Sequence, residues 1–112
     1  NGLLNLFLID PETSLLENIM AISLKKKYEN ELYFYLQNIE VDFYIPAQKL
    51  AIQVSYSLKD GATRKREVSA LLKIAKVMGA DKLLIITWDE EDMIVEDGKK
   101  IAVIPIWKWL LE

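Results

Sequence analysis

The chain has 112 residues, 52% of them apolar, and a formal net charge of −3, which fits one domain with a single core and lacks the basic footprint of a self-sufficient DNA binder, although a local basic patch stays open. It contains no cysteine and no histidine, which excludes disulfides, thiolate nucleophiles, zinc–thiolate centres and Ser-His or Cys-His systems. Any chemistry must rely on carboxylates, lysines, hydroxyls and a hard cation such as Mg²⁺, which prefers oxygen ligands.

The start, NGLLNLFLID, has neither an initiator Met nor a basic leader, so it does not read as a secretory signal. Residues 1–12 read as an entry segment from a preceding domain, with the domain proper at 13–112. Asp10-Pro11-Glu12 punctuates, because Asp caps and Pro suits the first helical position. From Thr13 to Lys27, Leu15, Leu16, Ile19, Met20, Ile22 and Leu24 recur at helical spacing. Glu17 lies at the edge of that stripe and is placed to aim at a sheet. Ser14 and Glu17 equally fit a capping box.

Leu32 to Leu36 is aromatic and β-prone, a strand by composition. Two alternating runs follow within Ile39 to Ser57, separated by a turn over Pro46 to Lys49. With Ile45 facing Leu50, the antiparallel register sets Asp42 opposite Gln53 and Glu40 opposite Ser55. Alternation gathers Val41, Phe43, Ile45, Leu50, Ile52 and Val54 on one apolar face. Glu40, Asp42, Tyr44, Gln53 and Ser55 share the other, where the latter two read equally as solvated strand residues. Lys59 to Ala62 is a turn.

Thr63 to Met78 is a second helix with Val68, Leu71, Leu72, Ala75 and Met78 as one stripe, closed by Gly79 in a left-handed cap. Arg64, Lys65, Arg66, Lys73 and Lys76 lie on its other faces, with Glu67 one turn from Arg64 balancing them. Lys82 to Asp89 has the continuous apolar run of a strand buried on both sides. The acidic run Asp89 to Asp92 caps and solubilises a loop. Met93 to Val95 and Lys100 to Ile104 flank an Asp97-Gly98 turn, a hairpin signal. After Pro105 the segment IWKWLLE is a short helical piece that docks Trp107 and Leu110. Tyr33, Tyr35, Trp88, Trp107 and Trp109 read as core or interdomain packing. Apolar clusters such as Leu83 to Ile86 fall far short of the ~20 residues a membrane span needs, so a cytoplasmic protein without membrane partners is expected. The order of helix, three-stranded meander, helix, buried strand and C-terminal hairpin makes an α/β domain with a mixed sheet.

This order resembles the PD-(D/E)XK nuclease superfamily, the restriction-endonuclease-like fold, with Glu17 on the first helix, Asp42 on the second strand and Gln53-Val54-Ser55 on the third. The strings SLLENIMAISL, IEVDFYIP, KLAIQVSYSL, TRKREVSALLKIAKVMGADKLLIITWDEE and IAVIPIWKWLL resemble, over nearly the whole chain, the C-terminal domain of a group of prokaryotic AAA+ ATPases. The resemblance implies an N-terminal ATPase domain in the parent chain as partner and as the place where ATP binds, since no P-loop occurs in these residues.

Carried over, the superfamily pattern sets its helix acid at Glu17, its metal-binding Asp at Asp42, its second acid at Gln53 and its lysine at Ser55. In the active pattern two carboxylates hold Mg²⁺ and the lysine orients water or stabilises phosphate charge. Gln53 brings no negative charge to a metal at Asp42 and Gln53, and Ser55 cannot replace a cation. The expectation is a degenerate nuclease-like module in contact with DNA or a partner, with Arg64, Lys65 and Arg66 as phosphate contacts. Two alternatives stand beside it: an active Mg²⁺-dependent nuclease with a lysine migrated to Lys49 or Lys59, and a structural interaction or oligomerisation domain.

Overall fold

Pro46 ends one strand and starts a reversal, because its ring fixes φ and removes a ladder donor. The chain turns through a 3₁₀ segment, Pro46–Gln48, and Lys49 takes a left-handed conformation (φ 51°) while its N–H donates to the Pro46 carbonyl at 3.1 Å. The strands on either side are β2 (Val41–Ile45) and β3 (Leu50–Val54). The computed structural model describes residues 11–28, 34–36 and 41–111, side chains at 11, 34–36 and 41 excepted. The expected entry segment through Asp10, Tyr33, the Tyr35 side chain and Glu40 therefore lie outside what is described.

The other elements are α1 (Pro11–Lys27), β1 (Phe34–Leu36), α2 (Gly61–Met78), β4 (Lys82–Thr87), β5 (Asp92–Glu96), β6 (Lys99–Pro105) and α3 (Ile106–Leu111). They build a six-stranded mixed sheet in the order β1-β2-β3-β4-β6-β5. β1, β2 and β3 form the antiparallel meander, β4 lies parallel to β3, β6 lies parallel to β4, and β5 closes the far edge antiparallel to β6. The β5–β6 turn has Asp97 and Gly98 both at positive φ (53° and 75°), the two-residue hairpin geometry that Asp-Gly favours.

Helices cover both faces of the sheet. α2 packs Val68, Leu71, Ile74 and Ala75 on Tyr44, Ala51, Ile85, Ile101 and Val103. α1 and α3 pack Leu16, Met20, Leu24, Ile106 and Trp109 on Ile45, Ile52, Val54, Leu84 and Ile86. Alternation along β3 and β4 feeds the two cores in turn, which is why both strands are buried nearly throughout. The half-polar face expected of β2 and β3 is thus a covered face.

Some boundaries move, each for a local reason. α2 begins at Gly61 rather than Thr63 because Asp60 caps it, its carboxylate accepting from the Thr63 N–H (3.2 Å) and hydroxyl (2.8 Å). Ile74 takes the place of Met78 in the buried stripe, with Leu72 half-buried and Met78 exposed at the helix end. Ser14 sits inside α1, so it does not form a capping box with Glu17. In α3 the buried pair is Ile106 and Trp109, while Trp107 (54% exposed) and Leu110 face outward. The Trp109 indole N–H donates to Ser23 Oγ at 2.9 Å and Lys27 Nζ lies 4.6 Å from its ring centroid. A buried indole needs such a partner, and only the Trp109 face of α3 meets Ser23.

Candidate functional site

The β2–β3 register pairs Phe43 with Ile52, Tyr44 with Ala51 and Ile45 with Leu50. One step further it sets Asp42 against Gln53, as the turn predicts. Here side chains take over the ladder. The Asp42 N–H donates to Gln53 Oε1 at 2.9 Å, and the Val54 N–H donates to Asp42 Oδ2 at 2.7 Å. Each residue thus satisfies main chain on the opposite strand where the ladder opens, which removes the cost of an orphaned buried N–H.

Glu17 reaches this point from α1, and its carboxyl hydrogen-bonds to that of Asp42. A hydrogen bond between two carboxyls requires a proton on one of them. Burial, then the hydrogen bond to Glu17, then the Glu17 charge push the Asp42 carboxyl well above the usual carboxylate range. The Val54 N–H opposes them, and Glu67 on α2 adds a further push upward. None of these influences is a cation.

Gln53 and Ser55 are both buried (2% and 6% exposed), so neither is a solvated strand residue. The Ser55 hydroxyl donates to the Ser57 carbonyl at 3.0 Å and its N–H to the Ile86 carbonyl at 2.9 Å. It braces the exit of β3. The two lysines considered as substitutes are not brought in. Lys49 occupies the tip of the hairpin, four residues from Gln53, or about 13 Å along a strand. Lys59 is exposed beyond β3, where its N–H donates to Ser57 Oγ at 3.1 Å.

The oxygens of these residues are engaged within the protein. Among the described residues no group of three or more acids is arranged to hold a metal ion. Asp42 Oδ2 accepts from the Val54 N–H, Gln53 turns its amide oxygen to the Asp42 main chain, and the Ser55 hydroxyl is spent on Ser57. Glu17, Asp42 and Gln53 do converge, and they do so on hydrogen bonds among themselves and the strands.

The basic residues are only partly open. Arg64 is paired with Asp92 at 3.2 Å, and Arg66 Nε lies 3.7 Å from Glu67. Glu67 therefore stands nearest Arg66, and the balance expected for Arg64 comes from β5. Lys65 is exposed, as are Lys73 and Lys76.

One contributor escapes a reading of the sequence. Glu90, within the acidic run, accepts from the Leu58 N–H at 3.0 Å through Oε1 and donates its own N–H to Thr87 Oγ1 at 3.0 Å, while Thr87 Oγ1 donates to the Glu90 carbonyl at 2.7 Å. It locks the exits of β3 and β4 together beside the stacked rings of Tyr56 and Trp88 (centroids 5.8 Å apart, 10° between planes). The local signal is Thr87 followed three residues later by Glu90, the spacing of a hydroxyl–carboxylate turn.

Comparison of the chain with family models, with curated proteins and with solved structures gives no significant match.

Proposed function

We propose that this chain is a nuclease-like domain of the restriction-endonuclease type, the C-terminal part of a prokaryotic AAA+ ATPase, whose hydrolytic centre is degenerate and which serves as a contact module for nucleic acid. The single observation that carries the reading is the crosswise bonding of Asp42 with β3, Asp42 N–H to Gln53 Oε1 and Val54 N–H to Asp42 Oδ2. An active centre of this type directs both residues' oxygens at a metal. Here they hold the hairpin, and Gln53 stands where the active pattern needs a second carboxylate.

Support for the contact role comes from α2. Lys65, Lys73 and Lys76 recur along one exposed side of the helix, spanning about 17 Å at 1.5 Å per residue. A row of this kind suits a phosphate backbone, with Arg66 beside it. No helix among the described residues is long and apolar enough to cross a membrane.

The test is DNA binding by fluorescence anisotropy across a salt series, run beside a cleavage assay with Mg²⁺ and Mn²⁺. Binding is expected to weaken steeply with salt. Lys65→Ala and Lys73→Ala are each expected to reduce the slope of log K against log salt by about one phosphate contact. No binding at low salt would sink the contact role. Metal-dependent cleavage that disappears in Asp42→Ala would replace it with an active nuclease.

A further inference from the structure

α1 is apolar on more than the side that faces the sheet. Leu16, Met20 and Leu24 are buried, but Glu12, Leu15, Ile19, Ile22 and Lys26 run along a different face at steps of three, four, three and four residues. That is the seam spacing with which one helix packs along another. Leu15 and Ile22 are 58% and 60% exposed, and Ile19 is half-buried. The seam also borders a groove of ≈ 490 Å³ between α1 and α3, to which Ile19, Ile22, Lys26, Trp109 and Leu110 contribute. Two large apolar side chains and a lined groove on one side of one helix are more than scattered surface hydrophobics.

The charges at the two ends select the occupant. Glu12 and Lys26, both exposed, each lie seven residues from Ile19. A second copy of α1 laid antiparallel across Ile19 sets Glu12 of each copy against Lys26 of the other. The same rotation brings Leu15 of each beside Ile22 of the other. A parallel pair would stack acid on acid and base on base. The pattern is therefore self-complementary under a two-fold axis, the symmetry an isologous dimer requires.

We propose that this chain forms a two-fold homodimer through antiparallel α1 helices, with Leu15, Ile19 and Ile22 as its apolar seam, Leu110 widening it into the groove, and a Glu12–Lys26 pair at each end. The dimer stands independently of the nuclease-like reading, because none of these residues belongs to the Asp42 cluster.

Sedimentation equilibrium of the 112-residue chain tests it, with circular dichroism confirming that each variant keeps its helix content. Wild type is expected to dimerise and Ile22→Glu to be monomeric at the same concentrations. Glu12→Lys and Lys26→Glu each replace two ion pairs by two like-charge contacts, and each should weaken the dimer by about 3- to 30-fold. Combining them in one chain should restore wild-type affinity, and mixing the two single variants should give heterodimers in preference to homodimers. A chain that stays monomeric at every accessible concentration would overturn the proposal. So would a dimer that Ile22→Glu leaves intact, or one that the double charge exchange fails to restore.

Discussion

The carboxyl groups of Glu17 and Asp42 are hydrogen-bonded to each other across the boundary between α1 and β2. The bond needs one proton, and burial first and Glu17 second displace the Asp42 carboxyl well above the usual carboxylate range. Two elements far apart in the chain are thereby joined through a titratable contact.

This sets the pH dependence of stability. A carboxyl whose folded pKa lies above its unfolded value of about 3.9 leaves the folded state holding the extra proton, so stability falls as pH rises between those two values. The contribution is complete below the unfolded pKa and lost once the pH passes the raised folded one. Urea denaturation across pH 4 to 9 should show this decline in wild type. Asp42→Asn, which can still donate to Glu17 and accept from the Val54 N–H, should flatten it. An unchanged slope in the variant would place the titrating group elsewhere.

Gln53 offers a second handle. Gln53→Ala leaves the buried Asp42 N–H without its acceptor, and urea denaturation should show a loss of about 1–3 kcal/mol. Gln53→Glu brings a third acid to Glu17 and Asp42, and stability should then fall more steeply with rising pH than in wild type. Combined with Ser55→Lys it rebuilds the acid and lysine pattern, and Mn²⁺ should then bind with a calorimetric heat absent from either single variant.

The orientation of α3 is tested by its two tryptophans. Trp109→Ala empties a buried site, removes the donor to Ser23 and should cost about 3–5 kcal/mol. Trp107→Ala, on the outward face, should change stability by no more than about 0.5 kcal/mol. Paired denaturation curves of the two variants check this, and equal losses would contradict the orientation.

Gly79 separates backbone preference from packing. It closes α2 at φ +71°, and a Cβ built there meets nothing within 4 Å. Gly79→Ala should therefore lose about 1 kcal/mol from conformation alone, visible as a lower denaturation midpoint with an unchanged m-value.

Much of this architecture is legible in the residues because its signals are local. Pro46 fixes the turn, the turn fixes the register, and the register brings Asp42 to Gln53. Gly79 and Asp97-Gly98 mark their turns by the positive φ they permit. What stays hidden depends on layers. Gln53 and Ser55 look solvated because nothing in β3 announces that α2 will cover that face. IWKWLL is apolar on two of its three i, i+3 pairs, Ile106/Trp109 and Trp107/Leu110, so only the meeting of Trp109 with Ser23, 86 residues earlier, decides which side goes in. Arg64 finds Asp92 rather than Glu67 for the same reason, across β-strand packing that no helical spacing encodes.

The proposed degenerate centre turns on whether the acid cluster, whose Asp42 and Gln53 oxygens accept from strand main chain, also binds a metal. Isothermal titration of the chain with Mn²⁺ and Mg²⁺, repeated on Asp42→Ala, tests it most directly. The account predicts no binding heat in either protein. A heat in wild type that vanishes in Asp42→Ala would contradict it.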